Sequence, residues 1–199
     1  ASSMCFGAGA NVTADDRNIH APPLFHIAGS AMLFSLTIFG GSHAFIPGFE
    51  PKAFLNAVTE FDGTISLLVP TMIGMLLQAP ELEDADTSRL TRLIYGASPM
   101  TLTVLKEAME KMPETKFIHA YGQTELAPLV TLLGSEYHVP GTPEAEKIRS
   151  VGQPVPQVDD RCRHQDQPAL ERIAVGRLDR PAVAAWPLPA RSLAPVVPG

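Results

Sequence analysis

Short apolar runs alternate with longer amphipathic segments between about residues 18 and 133 of the chain. The apolar runs are each five to seven residues long, and several carry too few polar residues to face solvent on either side. Such runs are typical of buried β-strands in parallel sheets. The pattern predicts strands at 43–47, 63–69, 90–95, 116–121 and 129–133.

The segments between these runs repeat their apolar residues at helical spacing. Helices are predicted at 51–61, 70–77 and 101–112. In the last of these, Leu102, Leu105 and Met109 fall on one face, and Pro113 ends the helix. Strands that alternate with helices predict an α/β fold with a partial, layered βαβ sheet.

The composition changes after about residue 158. Arginine becomes the only cationic residue beyond Lys147, and proline and alanine recur densely from 182 to 199. Frequent proline disfavours both helices and central strands, so we expect a poorly ordered tail. We therefore divide the chain into 1–157 and an atypical tail, 158–199. The tail is either a proline-alanine linker or the product of a shifted reading frame in GC-rich DNA.

Composition and charge narrow the class of protein. The 199 residues are 45% hydrophobic, which suits one domain or part of a larger one. The net charge of −6, without a run of cations, disfavours a nucleic-acid partner. Cys5 and Cys162 stand far apart, without the spacing of a zinc site or disulfide framework. No transmembrane segment or signal peptide is recognisable, so we expect a cytoplasmic protein, and the missing initiator methionine suggests that the chain begins within a longer one.

The stretch YGQTE follows the predicted strand 116–121 and carries groups suited to a nucleotide. Tyr121 offers a flat ring for a base, and Gly122 allows the backbone to approach a ligand. Thr124 can donate a hydrogen bond to a phosphate oxygen, and Glu125 can hold a magnesium ion. The alternative is structural, with Tyr-Gly forming a turn and Thr-Glu capping a helix.

Two further stretches resemble binding sites in the same way. In YGASPM, the small residues Gly96, Ala97 and Ser98 leave room for a planar ring, although Ser98 could instead cap a helix that Pro99 begins. In PLFHIAG, His26 stands before an apolar helix, where it could bind a ligand or simply make a structural hydrogen bond.

Five stretches in this order and at these intervals resemble the AMP-forming acyl-CoA synthetases: PLFHIAG, VPTMIGMLL, YGASPM, YGQTE and VGQPVP. This adenylate-forming superfamily includes acyl- and aryl-CoA ligases, luciferases and peptide-synthetase adenylation domains. The resemblance covers residues 15–156 and implies the fold of the family's N-terminal domain. It implies that Tyr121 stacks on adenine, that Thr124 contacts the AMP phosphate beside Gly122, and that Glu125 binds Mg²⁺. It also implies that Gly96, Ala97 and Ser98 line the adenine and acyl pocket, with His26 beside the acyl carboxylate.

The resemblance also implies a reaction. Members of this family join a fatty or aromatic carboxylic acid to AMP from ATP, with Mg²⁺, and pass the acyl group to coenzyme A. The family's phosphate loop is not recognisable before Asp15, and GRLDR at 176–180 does not match the family's later motifs, which end in a catalytic lysine. We therefore expect an internal piece of such a synthetase with impaired activity. A non-catalytic remnant that binds acyl groups or nucleotides is the alternative.

A serine hydrolase is a rival from another class of enzyme. Its nucleophile motif G-x-S-x-G does not occur, and the nearest stretch, GGSHA around Ser42, ends in alanine. The remaining members of a triad would have to come from His20, His43, His119 or His138 with Asp62 or Asp159. We also expect exposed sheet edges to favour self-association.

Overall fold

The computed structural model describes residues 2–126 and 128–155. The predicted boundary at 157, the tail and Asp159 lie outside these residues. No helix within the described ranges is long and apolar enough to cross a membrane.

A seven-stranded sheet forms the centre of the molecule. The strands are β1 (Arg17–His20), β2 (Ser42–Phe45), β3 (Ile65–Leu68), β4 (Arg92–Gly96), β5 (Lys116–Gly122), β6 (Leu129–Leu133) and β7 (Gln153–Pro154). Their spatial order is β2-β1-β3-β4-β5-β6-β7. The strands from β2 to β5 run parallel, whereas β6 and β7 pair antiparallel. Parallel neighbours need long connections, and helices supply most of these.

Within the described residues, six α-helices flank the sheet: α1 (Ser2–Gly9), α2 (Ile27–Phe39), α3 (Pro51–Glu60), α4 (Pro70–Gln78), α5 (Glu81–Asp84) and α6 (Leu102–Lys111). Proline opens both α3 and α4, where its missing N–H would have no helical acceptor. The ends of α2 are fixed by His26 as N-cap and by Gly40 in the left-handed conformation at φ 83°. Three short 3₁₀ turns follow β5, at Thr124–Leu126, Ser135–His138 and Pro143–Lys147.

The sheet separates two hydrophobic clusters. One contains Ile19, Phe54, Leu68 and Phe117 and packs under α3, α4 and α6. The other contains Met32, Leu36, Ile65, Ile94 and Ile118 and packs under α1 and α2. The adjacent residues Leu67 and Leu68 belong to different clusters, because side chains alternate between the two faces of a strand. Both faces of the central strands are therefore buried.

A buried ion pair closes the edge of the sheet at the N-terminal ends of the strands. Arg92 of β4 pairs with Asp16, whose side chain is 3% exposed. Asp16 also accepts hydrogen bonds from the Thr13 amide and the Thr64 hydroxyl, each at 2.7 Å. The pair therefore connects the segment before β1 with β4 across β3.

The predicted α/β fold is confirmed, and all five predicted strands and three predicted helices are present within three residues of their expected ends. β1, β7, α1 and α5 had no prediction. One detail is wrong: neither Ser98 nor Pro99 begins α6. Thr101 caps this helix, because its hydroxyl accepts from the Val104 amide at 3.4 Å, and the helix starts at Leu102.

Candidate functional site

A cleft of about 260 Å³ opens at the C-terminal ends of β3, β4 and β5, beside the start of α2. This edge of a parallel sheet is where α/β proteins usually bind ligands, because the loops that leave the strands converge there. Within the described part of the chain, the cleft is lined by Phe6, His26, Ile27, Ala28, Ala31, Leu67, Gly96, Ala97, Ala120, Tyr121, Gly122, Gln123, Thr124, Glu125, Pro128 and Leu129.

Seven of the eight residues predicted for the site line this one cleft: His26, Gly96, Ala97, Tyr121, Gly122, Thr124 and Glu125. They come from three stretches spread over 100 residues of sequence. Ser98 lies one residue beyond the lining and is exposed. The roles assigned to these residues stay predictions, whereas their convergence is a feature of the fold.

Two of these glycines have no room for a side chain. A Cβ at Gly96 would stand 2.0 Å from the carbonyl oxygen of Ala120, and one at Gly122 would stand 1.9 Å from that of Pro128. Both obstacles are backbone atoms, which cannot turn aside as a side chain can. Glycine at these positions therefore brings β4, β5 and the segment after the 3₁₀ turn Thr124–Leu126 close together.

Ala97 adopts a left-handed conformation, with φ 66°. This region costs a residue with a Cβ about 1 to 2 kcal/mol, so the surrounding structure must hold it there. Ala97 directly follows the tight contact between Gly96 and Ala120, and it turns the chain away from β4 at the floor of the cleft.

The segment after β5 is shaped by local hydrogen bonds. The pairing of β5 with β6 shifts register between Tyr121 and Gly122. The Gln123 amide then donates to the Pro128 carbonyl at 2.8 Å, and the Gln123 side chain donates to the Tyr121 hydroxyl at 3.3 Å. Thr124 and Glu125 follow in an exposed 3₁₀ turn at the rim of the cleft. A hydroxyl and a carboxylate are thus presented to a ligand.

His26 has a structural role and a place in the cleft at once. Its Nδ1 accepts a hydrogen bond from the Ala28 amide at 3.4 Å and so caps α2. A neutral imidazole whose Nδ1 accepts must carry its hydrogen on Nε2. His26 is exposed, so its Nε2 is a donor that an anion in the cleft could use. The two predictions for this histidine are therefore compatible.

The cleft also has an apolar wall, of which the sequence pointed only to the PLFHIAG stretch that contains Ile27 and Ala28. This wall is formed by Phe6, Ile27, Ala28, Ala31, Leu67 and Leu129. Leu67 could have been anticipated as the end of a strand beside β4, but Phe6 sits in a helix with no apolar periodicity. Among the described residues, the ionisable side chains of the lining are His26, Tyr121 and Glu125, and none of them is a lysine or an arginine.

The residues weighed for a hydrolase have other contacts. Ser42 begins β2, at the end of the sheet opposite the cleft. His43 contacts His20, with 2.9 Å between their ring nitrogens, and Asp62 pairs with two arginines. These contacts do not favour a Ser-His-Asp triad within the described residues.

Comparison with known proteins gives consistent results. A family model described as AMP-binding enzyme matches residues 1–176. Over 145 residues the chain is 34% identical to a feruloyl-CoA synthase from an Amycolatopsis species, covering 72% of this chain and 28% of that protein. It is 32% identical over 141 residues to a 2-succinylbenzoate–CoA ligase from Bacillus pumilus, covering 71% and 27%. The chain thus spans little more than a quarter of the length of these relatives.

Two solved structures illustrate the likeness in fold. O-succinylbenzoate coenzyme A synthetase from Bacillus subtilis, in complex with ATP and magnesium ion, superposes with a TM-score of 0.66 and 27% identity, covering 77% of this chain and 30% of that one. The N-terminal domain of FACL13 from Mycobacterium tuberculosis gives a TM-score of 0.70 at 22% identity, covering 78% and 37%.

Proposed function

Because this chain belongs to the family of AMP-binding enzymes related to acyl- and aryl-CoA ligases, we propose that its cleft binds an acyl-adenylate: AMP together with the acyl group joined to it. The observation that carries this proposal is the convergence of seven predicted residues on one cleft at the C-terminal edge of the sheet. A parent reaction of this kind activates a carboxylic acid with ATP and transfers it to coenzyme A.

The two walls of the cleft suit the two halves of such a ligand. Tyr121 and the small residues Gly96 and Ala97 offer a flat ring and a smooth floor for adenine. The apolar wall, which includes Phe6 and Leu67, suits an aromatic or aliphatic acyl group. A hydrophobic acid is therefore the proposed substrate class.

The rim of the cleft supplies the polar contacts. The Thr124 hydroxyl and His26 Nε2 are donors suited to the phosphate and to the carboxylate that becomes the acyl group. Glu125 is an exposed carboxylate in the same rim, which fits the way proteins hold Mg²⁺ through one or two carboxylates and a phosphate. When bound there, Mg²⁺ would neutralise part of the phosphate charge.

Turnover by the chain alone is proposed to be weak. The described lining of the cleft contains no lysine or arginine, and the reaction brings two anions together. Losing a positioned electrostatic partner commonly lowers rates by about 10²- to 10³-fold. A pyrophosphate-release assay with an aromatic or fatty acid, ATP and CoA would contradict this if the chain matched an intact synthetase.

Calorimetric titration tests the binding proposal. The full chain is titrated with AMP and with a non-hydrolysable acyl-adenylate analogue in Mg²⁺, beside Tyr121→Ala. We expect saturable binding to the wild type and about 5- to 150-fold weaker binding to the variant, since stacking on an aromatic ring contributes about 1 to 3 kcal/mol per base. Phe61→Ala is the matched control, because Phe61 is an exposed aromatic residue outside the cleft.

The calorimetry has two clear outcomes against the proposal. A folded wild type that binds neither ligand would show that the cleft is not an adenylate site. Equal affinity of the wild type and Tyr121→Ala would show that binding occurs elsewhere. Binding without pyrophosphate release would favour the non-catalytic alternative.

A further inference from the structure

Three side-chain rings, two of them buried and one half-buried, lie next to the strand ends that form the floor of the cleft. Tyr95 of β4 stacks on His119 of β5, with 4.8 Å between ring centroids and 19° between planes. His138, in the turn Ser135–His138, meets the Tyr95 ring edge-on at 5.7 Å. Tyr95 is 2% exposed and His138 5% exposed. We call these three side chains the ring cluster.

Two hydrogen bonds fix where the hydrogens of Tyr95 and His138 lie. His138 Nδ1 lies 2.9 Å from the Gly134 carbonyl, which can only accept, so Nδ1 carries the hydrogen. In the neutral ring Nε2 is then an acceptor, and the Tyr95 hydroxyl donates to it over 2.9 Å. Tyr95 is thereby tied to a turn that lies beyond β6 in sequence.

The ring cluster is joined to the cleft through the backbone. Tyr95 immediately precedes Gly96 and Ala97, and His119 stands two residues before Tyr121. Tyr95 pairs with His119 in the sheet, and Gly96 pairs with Ala120. A non-glycine residue in the left-handed region needs support from its surroundings, and Tyr95, two residues before Ala97, packs in the hydrophobic cluster that contains Leu68 and Phe117.

We propose that Tyr95 is a positioning residue for the cleft: its hydrogen bond to neutral His138 holds the Gly96–Ala97 floor, and protonation of His138 weakens this hold, because Nε2 then carries a hydrogen and no longer accepts from the Tyr95 hydroxyl. The inference rests on the proposed function only where ligand affinity is the readout. The positioning itself is a property of the free protein.

The surroundings of His138 set the direction of the pH effect. Burial lowers the pKa of His138, and its bond to the Gly134 carbonyl and the charge of Glu136 oppose that change. His119, the other histidine facing it, has its pKa lowered to about 4, chiefly by burial. The adjoining turn Pro143–Lys147 carries Glu144, Glu146 and Lys147, all exposed to solvent. His138 is thus neutral at pH 8 and gains its proton below pH 6.5.

Three variants separate positioning from general stability. Tyr95→Phe keeps the ring and removes the hydroxyl. His138→Gln keeps one hydrogen-bond acceptor and one donor, but the glutamine side chain does not gain a proton in this pH range. Thr115→Val is the matched control: it removes another buried hydroxyl hydrogen bond, 2.7 Å to the Leu90 carbonyl, just before the first residue of β5 and thus far from the cleft. A buried hydrogen bond contributes roughly a three- to tenfold change in an equilibrium.

Hydrogen exchange read by mass spectrometry tests the positioning without a ligand. We expect peptides covering residues 96–98 and 121–123 to exchange about three- to tenfold faster in Tyr95→Phe than in Thr115→Val at pH 8. His138→Gln should exchange like the wild type at pH 8. Equal exchange of these peptides in Tyr95→Phe and Thr115→Val would overturn the inference, whether or not AMP binds.

AMP affinity then tests the switch. We divide the Kd of the wild type for AMP by that of His138→Gln. This ratio should be constant from pH 8 to 6.5 and should rise as the pH falls further, because only the wild type loses affinity. Taking the ratio at each pH cancels the titration of the ligand itself. A ratio that does not change down to pH 5.5 would overturn the switch. Failure of the wild type to bind AMP at any pH would count against the proposed function instead, since the exchange result stands apart from it.

Discussion

Replacing Gly96 by alanine tests whether the close approach of β4 and β5 builds the floor of the cleft. The added Cβ would stand 2.0 Å from the Ala120 carbonyl oxygen, whereas real Cβ atoms essentially never come within 3.0 Å of another heavy atom. The paired strand ends must therefore separate by about 1 Å or more. Overpacking of this kind typically costs about 1 to 3 kcal/mol.

Urea denaturation followed by circular dichroism measures the stability of Gly96→Ala, and calorimetry with AMP measures its cleft. We expect a free energy of unfolding lower by about 1 to 3 kcal/mol and AMP binding weakened at least tenfold, because a 1 Å displacement in a site commonly has a large effect on function. The higher helix propensity of alanine does not offset this loss of stability, because Gly96 is the last residue of a strand.

Gly74→Ala is the matched control for this substitution. Gly74 lies inside α4, and a Cβ there would meet nothing within 4 Å. Alanine in a helix interior is favoured over glycine by about 0.5 to 1 kcal/mol, so this variant should be more stable than the wild type and bind AMP equally. A Gly96→Ala variant that is as stable as the wild type and binds AMP equally well would refute the reasoning.

Two further predictions concern stability. Asp16→Ala leaves Arg92 partly buried without its carboxylate, so we expect the free energy of unfolding, measured by urea denaturation, to fall by about 3 to 5 kcal/mol. Asp15→Ala, at the exposed neighbouring residue, should lower it by less than about 0.5 kcal/mol. Equal losses in the two variants would contradict the role of the ion pair. Burial lowers the pKa of both His20 and His119 to about 4, so between pH 6.5 and 4 the unfolded chain binds protons that the folded chain does not. The free energy of unfolding should therefore fall on acidification, by at most about 2 kcal/mol per histidine between pH 7 and pH 5 after allowance for screening. Equal urea midpoints at pH 7 and pH 5 would disprove this.

The sequence predicted the parts of the fold that depend on the local pattern of apolar residues and on the geometry of parallel strands. The five apolar runs became strands, and seven of eight site residues met in one cleft, because the ends of neighbouring parallel strands must share an edge. β1 escaped prediction because its four residues include Arg17, Asn18 and His20, yet three of the four are buried. Its position between β2 and β3 depends on tertiary pairing, which composition does not encode.

Other features depended on contacts between distant segments. Phe6 reaches the cleft because α1 packs against α2, and the small residues of α1 give no amphipathic signal. Ser98 misses the lining because α6 starts only at Leu102, so that the chain bends away after Ala97. The ring cluster joins β4 to a turn 43 residues later, and short-range patterns carry no information on such a contact.

The strand order β2-β1-β3 also has a consequence for the order in which the chain folds. As the chain emerges from the ribosome, β1 can pair first with β2, and its second edge stays open until β3 has been made, 47 residues after β1. An open apolar edge of this kind invites aggregation. The polar side chains of Asn18 and His20 sit on this strand, and within the described residues Asn18 Oδ1 and His20 Nδ1 are buried without hydrogen-bond partners. They lower the stability of the finished sheet, and they give the half-made sheet an edge that is less prone to capture a second nascent chain.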